Sequence, residues 1–132
     1  MNPGVIKPGR AMSVSNGKVL IVEDQYLASE FLRIWTEAYG FEVCGIATTA
    51  DRAVELAKEF KPTHVLMDVR LDGDKDGVDA AMEIQAATDA CIIYCTGSSE
   101  SSTVAKIHSD HPFEILFKPI DAQLLGEALL KP

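Results

Sequence analysis

Five polar residues stand where folding alone does not ask for a polar side chain. Glu23 and Asp24 follow the apolar run Val19–Val22. Asp68 closes His64–Asp68, Thr96 closes Ala90–Thr96, and Lys118 follows Glu114–Phe117. Three carboxylates drawn together repel one another unless a cation offsets the charge. A hard divalent ion answers that need: Mg²⁺ takes a few carboxylates, keeps waters and accepts a phosphate oxygen. Lys118 adds a compact positive charge for a phosphoryl oxygen or for Asp68. Thr96 adds a hydroxyl that can donate to the same oxygen. Together these are the parts for in-line phosphoryl transfer to a carboxylate, with Asp68 as nucleophile and Lys118 and Thr96 stabilising the product. Singly, each has a plainer reading, since Asp24 could cap a helix and Lys118 could be a solvated loop residue. Their joint arrival at strand ends is what points to chemistry.

The elements that must position them alternate in period. Val19–Val22 is a short continuous apolar run, as expected for a strand buried on both faces. From Gln25 to Tyr39 the residues Leu27, Phe31, Ile34, Trp35 and Ala38 recur at helical spacing, and Gly40 stops that helix. Glu42–Ala47 is a second strand. Thr48 or Thr49 caps a helix carrying Ala53, Leu56, Ala57 and Phe60 on one face, which Pro62 ends. His64–Asp68 is the third strand. A turn-rich loop with Asp72, Gly73, Asp74 and Gly77 leads to a helix from about Val78 to Ala87. Ala90–Thr96 is the fourth strand. A weaker helix over Ser101–Ser109, built from poor helix formers, precedes the fifth strand, Glu114–Phe117. A last helix begins near Asp121. Five βα units predict an α/β fold, a doubly wound five-stranded parallel sheet with helices on both faces. Ligands of such sheets bind beyond the carboxyl ends of the strands.

The chain has 132 residues, which suits one domain. A hydrophobic share of 47% and a mean hydropathy of +0.07 argue against general disorder. The formal charge of −8 disfavours direct binding to nucleic acid. No apolar stretch is long enough to span a bilayer, and Met1–Lys18 lacks the apolar core of a signal peptide. Its Pro, Gly, Ser and Asn content reads as a flexible tail over residues 1–17, with the folded domain over 18–132. Cys44, Cys91 and Cys95 lie in or beside apolar runs and read as reduced, buried thiols of a cytoplasmic protein. His108 and His111 around Asp110, and the acidic run Asp72, Asp74, Asp76, read as solvated loops; the acidic run lacks the full spacing of a calcium loop.

The segments VLIVEDQ, HVLMDVRLDGDKDG, CTG and FKP resemble the response-regulator receiver domain, a five-stranded fold similar to flavodoxin. The resemblance covers about Lys18 to the last residue. It implies that Glu23 and Asp24 are the acidic pair, that Asp68 is the phosphoacceptor, and that the Arg70 backbone carbonyl completes the protein ligands to Mg²⁺. It further implies that Thr96 is the switch hydroxyl with the Gly97 N–H beside it, and that Lys118 binds the phosphoryl group. The bond from Lys118 to Pro119 is often cis in this family, which could fix a turn that aims the lysine. Two departures stand out. Ile115 occupies the position, three residues before the lysine, where the family usually has Tyr or Phe; Tyr94 and Phe117 are expected to serve the core. The usual Pro after the phosphoacceptor is replaced by LDGDKDG. The run Ile92–Gly97 loosely resembles an atypical receiver subgroup with a Phe-Ala-Thr-Gly-type motif, from which Ser98 and Ser99 depart.

The implied function is a phosphorylation switch. A histidine kinase or phosphotransfer protein donates to Asp68, and the added charge alters a partner-binding or dimerisation surface around the fourth helix, fifth strand and fifth helix. No DNA-binding or enzymatic output domain is visible, so output would come by docking or from a domain on a longer chain. A magnesium-dependent aspartyl hydrolase is the rival, but it usually carries a second Asp where this chain has Arg70, and it needs a cap. A receiver-like module that is never phosphorylated sits badly with the intact Asp68, Thr96 and Lys118. A flavin-binding protein would need a phosphate-cradling loop after the first strand.

Overall fold

The computed structural model describes residues 15–71, 73–97 and 114–132. Five strands form one parallel sheet: β1 (Lys18–Val22), β2 (Glu42–Ala47), β3 (His64–Asp68), β4 (Cys91–Thr96) and β5 (Glu114–Phe117), in the order β2-β1-β3-β4-β5. The expected doubly wound α/β architecture is therefore present. The central strands are buried on both faces, which is why they read as unbroken apolar runs.

Helices α1 (Tyr26–Ala38), α2 (Ala50–Phe60), α3 (Gly77–Ala87) and a C-terminal helix (Ala122–Leu130) complete the described elements. One core joins Leu20, Val22, Val65, Met67, Ile92 and Tyr94 to residues of α2 and α3. The other joins Val19, Ile21, Leu66, Ile93 and Cys95 to Leu32 of α1 and to Leu125, Ala128 and Leu129 of the C-terminal helix. Caps fix the helix starts. The Thr49 hydroxyl accepts from Arg52 N–H (3.2 Å), and the Asp121 carboxylate accepts from Gln123 and Leu124 N–H (2.8 and 3.1 Å). Asp76 and Asp79 form a reciprocal capping box at α3. At the other end of α1, Asn16 N–H and its side-chain amide donate to Gly40 O (2.8 Å) and Tyr39 O (2.9 Å).

On α1, Leu27, Ile34 and Trp35 of the apolar stripe are exposed and Phe31 packs partly buried against the core that holds Leu32, whereas Ser29, Leu32 and Thr36 are the buried positions. Two expectations are corrected. Phe117 is 54% exposed and does not serve the core; Tyr94 does, at 1%. Of the three free thiols only Cys95 is fully buried, and burial pushes its pKa up to about 12. The helix expected over 101–109, the Ser98–Ser99 pair, the His108–Asp110–His111 group and Asp72 lie outside the described residues.

Candidate functional site

Strand register builds the rim. Val22 pairs with Met67, so Glu23 and Asp68 stand level at the carboxyl ends of β1 and β3. Asp68 pairs with Cys95, and Thr96 pairs with Phe117, which puts Thr96 and Lys118 one step further along the neighbouring strands. Glu23, Asp24 and Asp68 each offer a carboxylate oxygen within 4.8 Å of the others. The Lys118 ammonium lies 2.9 Å from Glu23 Oε1 and 3.4 Å from Asp68 Oδ2. It spans the ends of β5, β1 and β3.

Backbone groups hold the acids in place. Gln25 N–H donates to Glu23 Oε2 (3.1 Å), and Arg70 N–H donates to Asp68 Oδ1 (3.2 Å). Lys118 N–H donates to Thr96 O (2.7 Å), locking β5's exit to the end of β4. Thr96 is buried, and the Lys118 stem passes Gly97, whose missing Cβ would lie 3.6 Å from Lys118 Cδ. The Lys118–Pro119 peptide is cis. Arg70 is exposed, with its backbone beside Asp68.

The electrostatics follow from burial. Asp68 is 6% exposed, and its carboxyl is pushed up to a pKa of about 6 by desolvation and by the Glu23 charge. Lys118 and the Arg70 N–H oppose that rise without cancelling it. Burial works against the Lys118 charge, yet the hydrogen bond to Glu23 and the two carboxylates raise its pKa overall. The donor set is therefore all oxygen, carries surplus negative charge and is incompletely neutralised by one ammonium, which fits a hard divalent cation.

Two features were missed in the sequence. A cavity of about 230 Å³, walled by Ala28, Phe31, Leu32, Pro119 and Ile120, opens beside Glu23 and Lys118. The helical spacing of Phe31 was visible, but not what it faced. Gly77 places the start of α3 against the Asp68 backbone; a glycine opening a helix behind the capping residue Asp76 was the available signal.

Residues 19–130 match the family model described as the response regulator receiver domain. The chain is 33% identical over 115 residues to the chemotaxis protein CheY of Thermotoga maritima, covering 86% of this chain and 95% of that protein. It is 36% identical over 112 residues to the transcriptional regulatory protein PdtaR of Mycobacterium tuberculosis, where it covers 85% of this chain but only 54% of PdtaR. Among solved structures, the signal receiver domain of a modulated diguanylate cyclase from Desulfovibrio desulfuricans G20 superposes with a TM-score of 0.81 at 35% identity. That match covers 86% of this chain and 90% of that one.

Proposed function

The chain belongs to the response-regulator receiver family of two-component signalling, and from that premise we propose that Asp68 accepts a phosphoryl group from a histidine kinase or phosphotransfer protein. The observation that carries this reading is the Lys118 ammonium set between Glu23 and Asp68. That charge stands beside a buried carboxylate whose ionised form is under-compensated.

In the proposed step an Asp68 carboxylate oxygen attacks phosphorus in line. A P–O bond forms, the P–N bond of the donor phosphohistidine breaks, and the imidazole leaves with its electron pair and takes a proton from solvent. Glu23, Asp24, Asp68 and the Arg70 carbonyl would hold Mg²⁺, which supplies charge neutralisation at the phosphoryl oxygens. Lys118 exchanges its pairing with Asp68 for a phosphoryl oxygen. The Thr96 hydroxyl and Gly97 N–H donate to the same group, biasing the segments after β3 and β4. Receiver domains are signalling domains, so the chemistry reads as self-limited phosphorylation and dephosphorylation. Output would pass to a partner, or to a second copy, through the surface around β5 and the C-terminal helix. Among the described residues no helix is long and apolar enough to cross a membrane; the proposed donor, a histidine kinase or phosphotransfer protein, would set the site of action in the cytoplasm.

Incubation with Mg²⁺ and a small acyl phosphate tests the assignment. Intact mass should rise by one phosphoryl group in the wild type and stay unchanged in Asp68→Ala. An equal gain in both proteins removes Asp68 from the role.

A further inference from the structure

Glycine carries a conformational cost in a helix, so Gly77 at the head of α3 needs a reason. Its φ is not positive, so the backbone itself would accept a side chain. Contact is what excludes one. A Cβ at Gly77 would fall on the Asp68 carbonyl oxygen, 2.9 Å from the Asp68 carbonyl carbon and 2.9 Å from Val69 Cα. Gly77 N–H also donates to Val69 O at 2.8 Å. The first turn of α3 thus sits backbone to backbone on the Asp68–Val69 peptide.

Neither partner can easily withdraw. Val78, Ala80 and Ala81 are fully buried behind the turn, and the Asp76–Asp79 capping box fixes its start. Lys75, just ahead of it, pairs with Asp51 and Glu83, each at 3.2 Å. On the strand side Asp68 is paired with Cys95. An added methyl must therefore displace the peptide that carries the Asp68 carboxylate and leads into Arg70.

We propose that Gly77 is a positioning residue for Asp68, setting by backbone contact where its carboxylate and the Arg70 carbonyl stand relative to Glu23 and Asp24. This rests on the metal-binding reading above. Gly126 provides the control: a Cβ there would strike the Tyr39 ring, between α1 and the C-terminal helix, with no backbone of the site involved.

Mg²⁺ is titrated calorimetrically into wild type, Gly77→Ala and Gly126→Ala, each below its own unfolding midpoint. Both variants should unfold at lower temperature. Only Gly77→Ala should weaken Mg²⁺ binding, by at least tenfold, with Gly126→Ala within twofold of wild type. A Gly77→Ala Kd within twofold of wild type overturns the proposal, as does an equal weakening in Gly126→Ala. Absence of binding by the wild type would instead bring down the metal reading, and this inference with it. Should Gly77→Ala fail to fold, Val78→Ala loosens the same turn from behind, and Val54→Ala in the same core serves as comparator. Val78→Ala should weaken Mg²⁺ at least threefold more than Val54→Ala; equal constants overturn the proposal.

Discussion

Burial and Glu23 together make an ionised Asp68 costly in the metal-free protein. Its folded pKa of about 6 lies above the ordinary 3.8, so the native state holds this proton more tightly than the unfolded chain. The cost is fully present above pH 6 and is relieved as pH falls from 6 towards 4. Removing the charge should therefore stabilise the metal-free fold: Asp68→Asn gains about 1–3 kcal/mol at pH 7.5, a gain that shrinks towards pH 4. Urea unfolding at the two pH values checks this, and a loss of stability at pH 7.5 would show that the Lys118 pairing outweighs the repulsion.

Among the elements, α1 shows most plainly where a sequence stops being informative. Leu27, Phe31, Ile34, Trp35 and Ala38 make a periodic apolar stripe, but period alone does not say what the stripe faces. The structure turns Leu27, 80% exposed, to solvent and lays Ser29, Leu32 and Thr36 on the sheet. Ser29 is accommodated because its hydroxyl donates to Tyr26 O at 2.8 Å. Thr36 is fully buried, and its Oγ1 has no hydrogen-bond partner among the described residues. Thr36→Val keeps the branched shape without the orphan hydroxyl and should gain about 1 kcal/mol in chemical denaturation; a clear loss would reveal a hidden partner. The strands were legible because burial on both faces leaves unbroken apolar runs. Their polar ends were legible because burial gives no reason for charge there. Phe117 was misread because alternation in a short edge strand does not reveal which face is covered, and the close approach at Gly77 leaves no trace beyond the glycine itself.

At the scale of the molecule, two cores on opposite sheet faces are joined through strands whose ends carry the acidic cluster. A ligand that binds only the folded form stabilises it, by about 2.7 kcal/mol at a hundredfold excess over Kd. Saturating Mg²⁺ should therefore raise the wild-type midpoint by at least about 3 °C and leave Asp24→Asn nearly unmoved, as read by scanning calorimetry. Equal shifts in both would place the ion elsewhere on this acidic chain, whose formal charge is −8.

Glu23 and its lysine are separated by 95 positions, and the strand leading to that lysine pairs, among the described residues, with β4 alone. During synthesis the acidic residues emerge from the ribosome long before their counter-charge does. Until β5 docks, a nascent chain would carry Glu23 and Asp68 without the ammonium that partners them. On the role proposed for Asp68, phosphoryl acceptance would thus wait on the docking of β5.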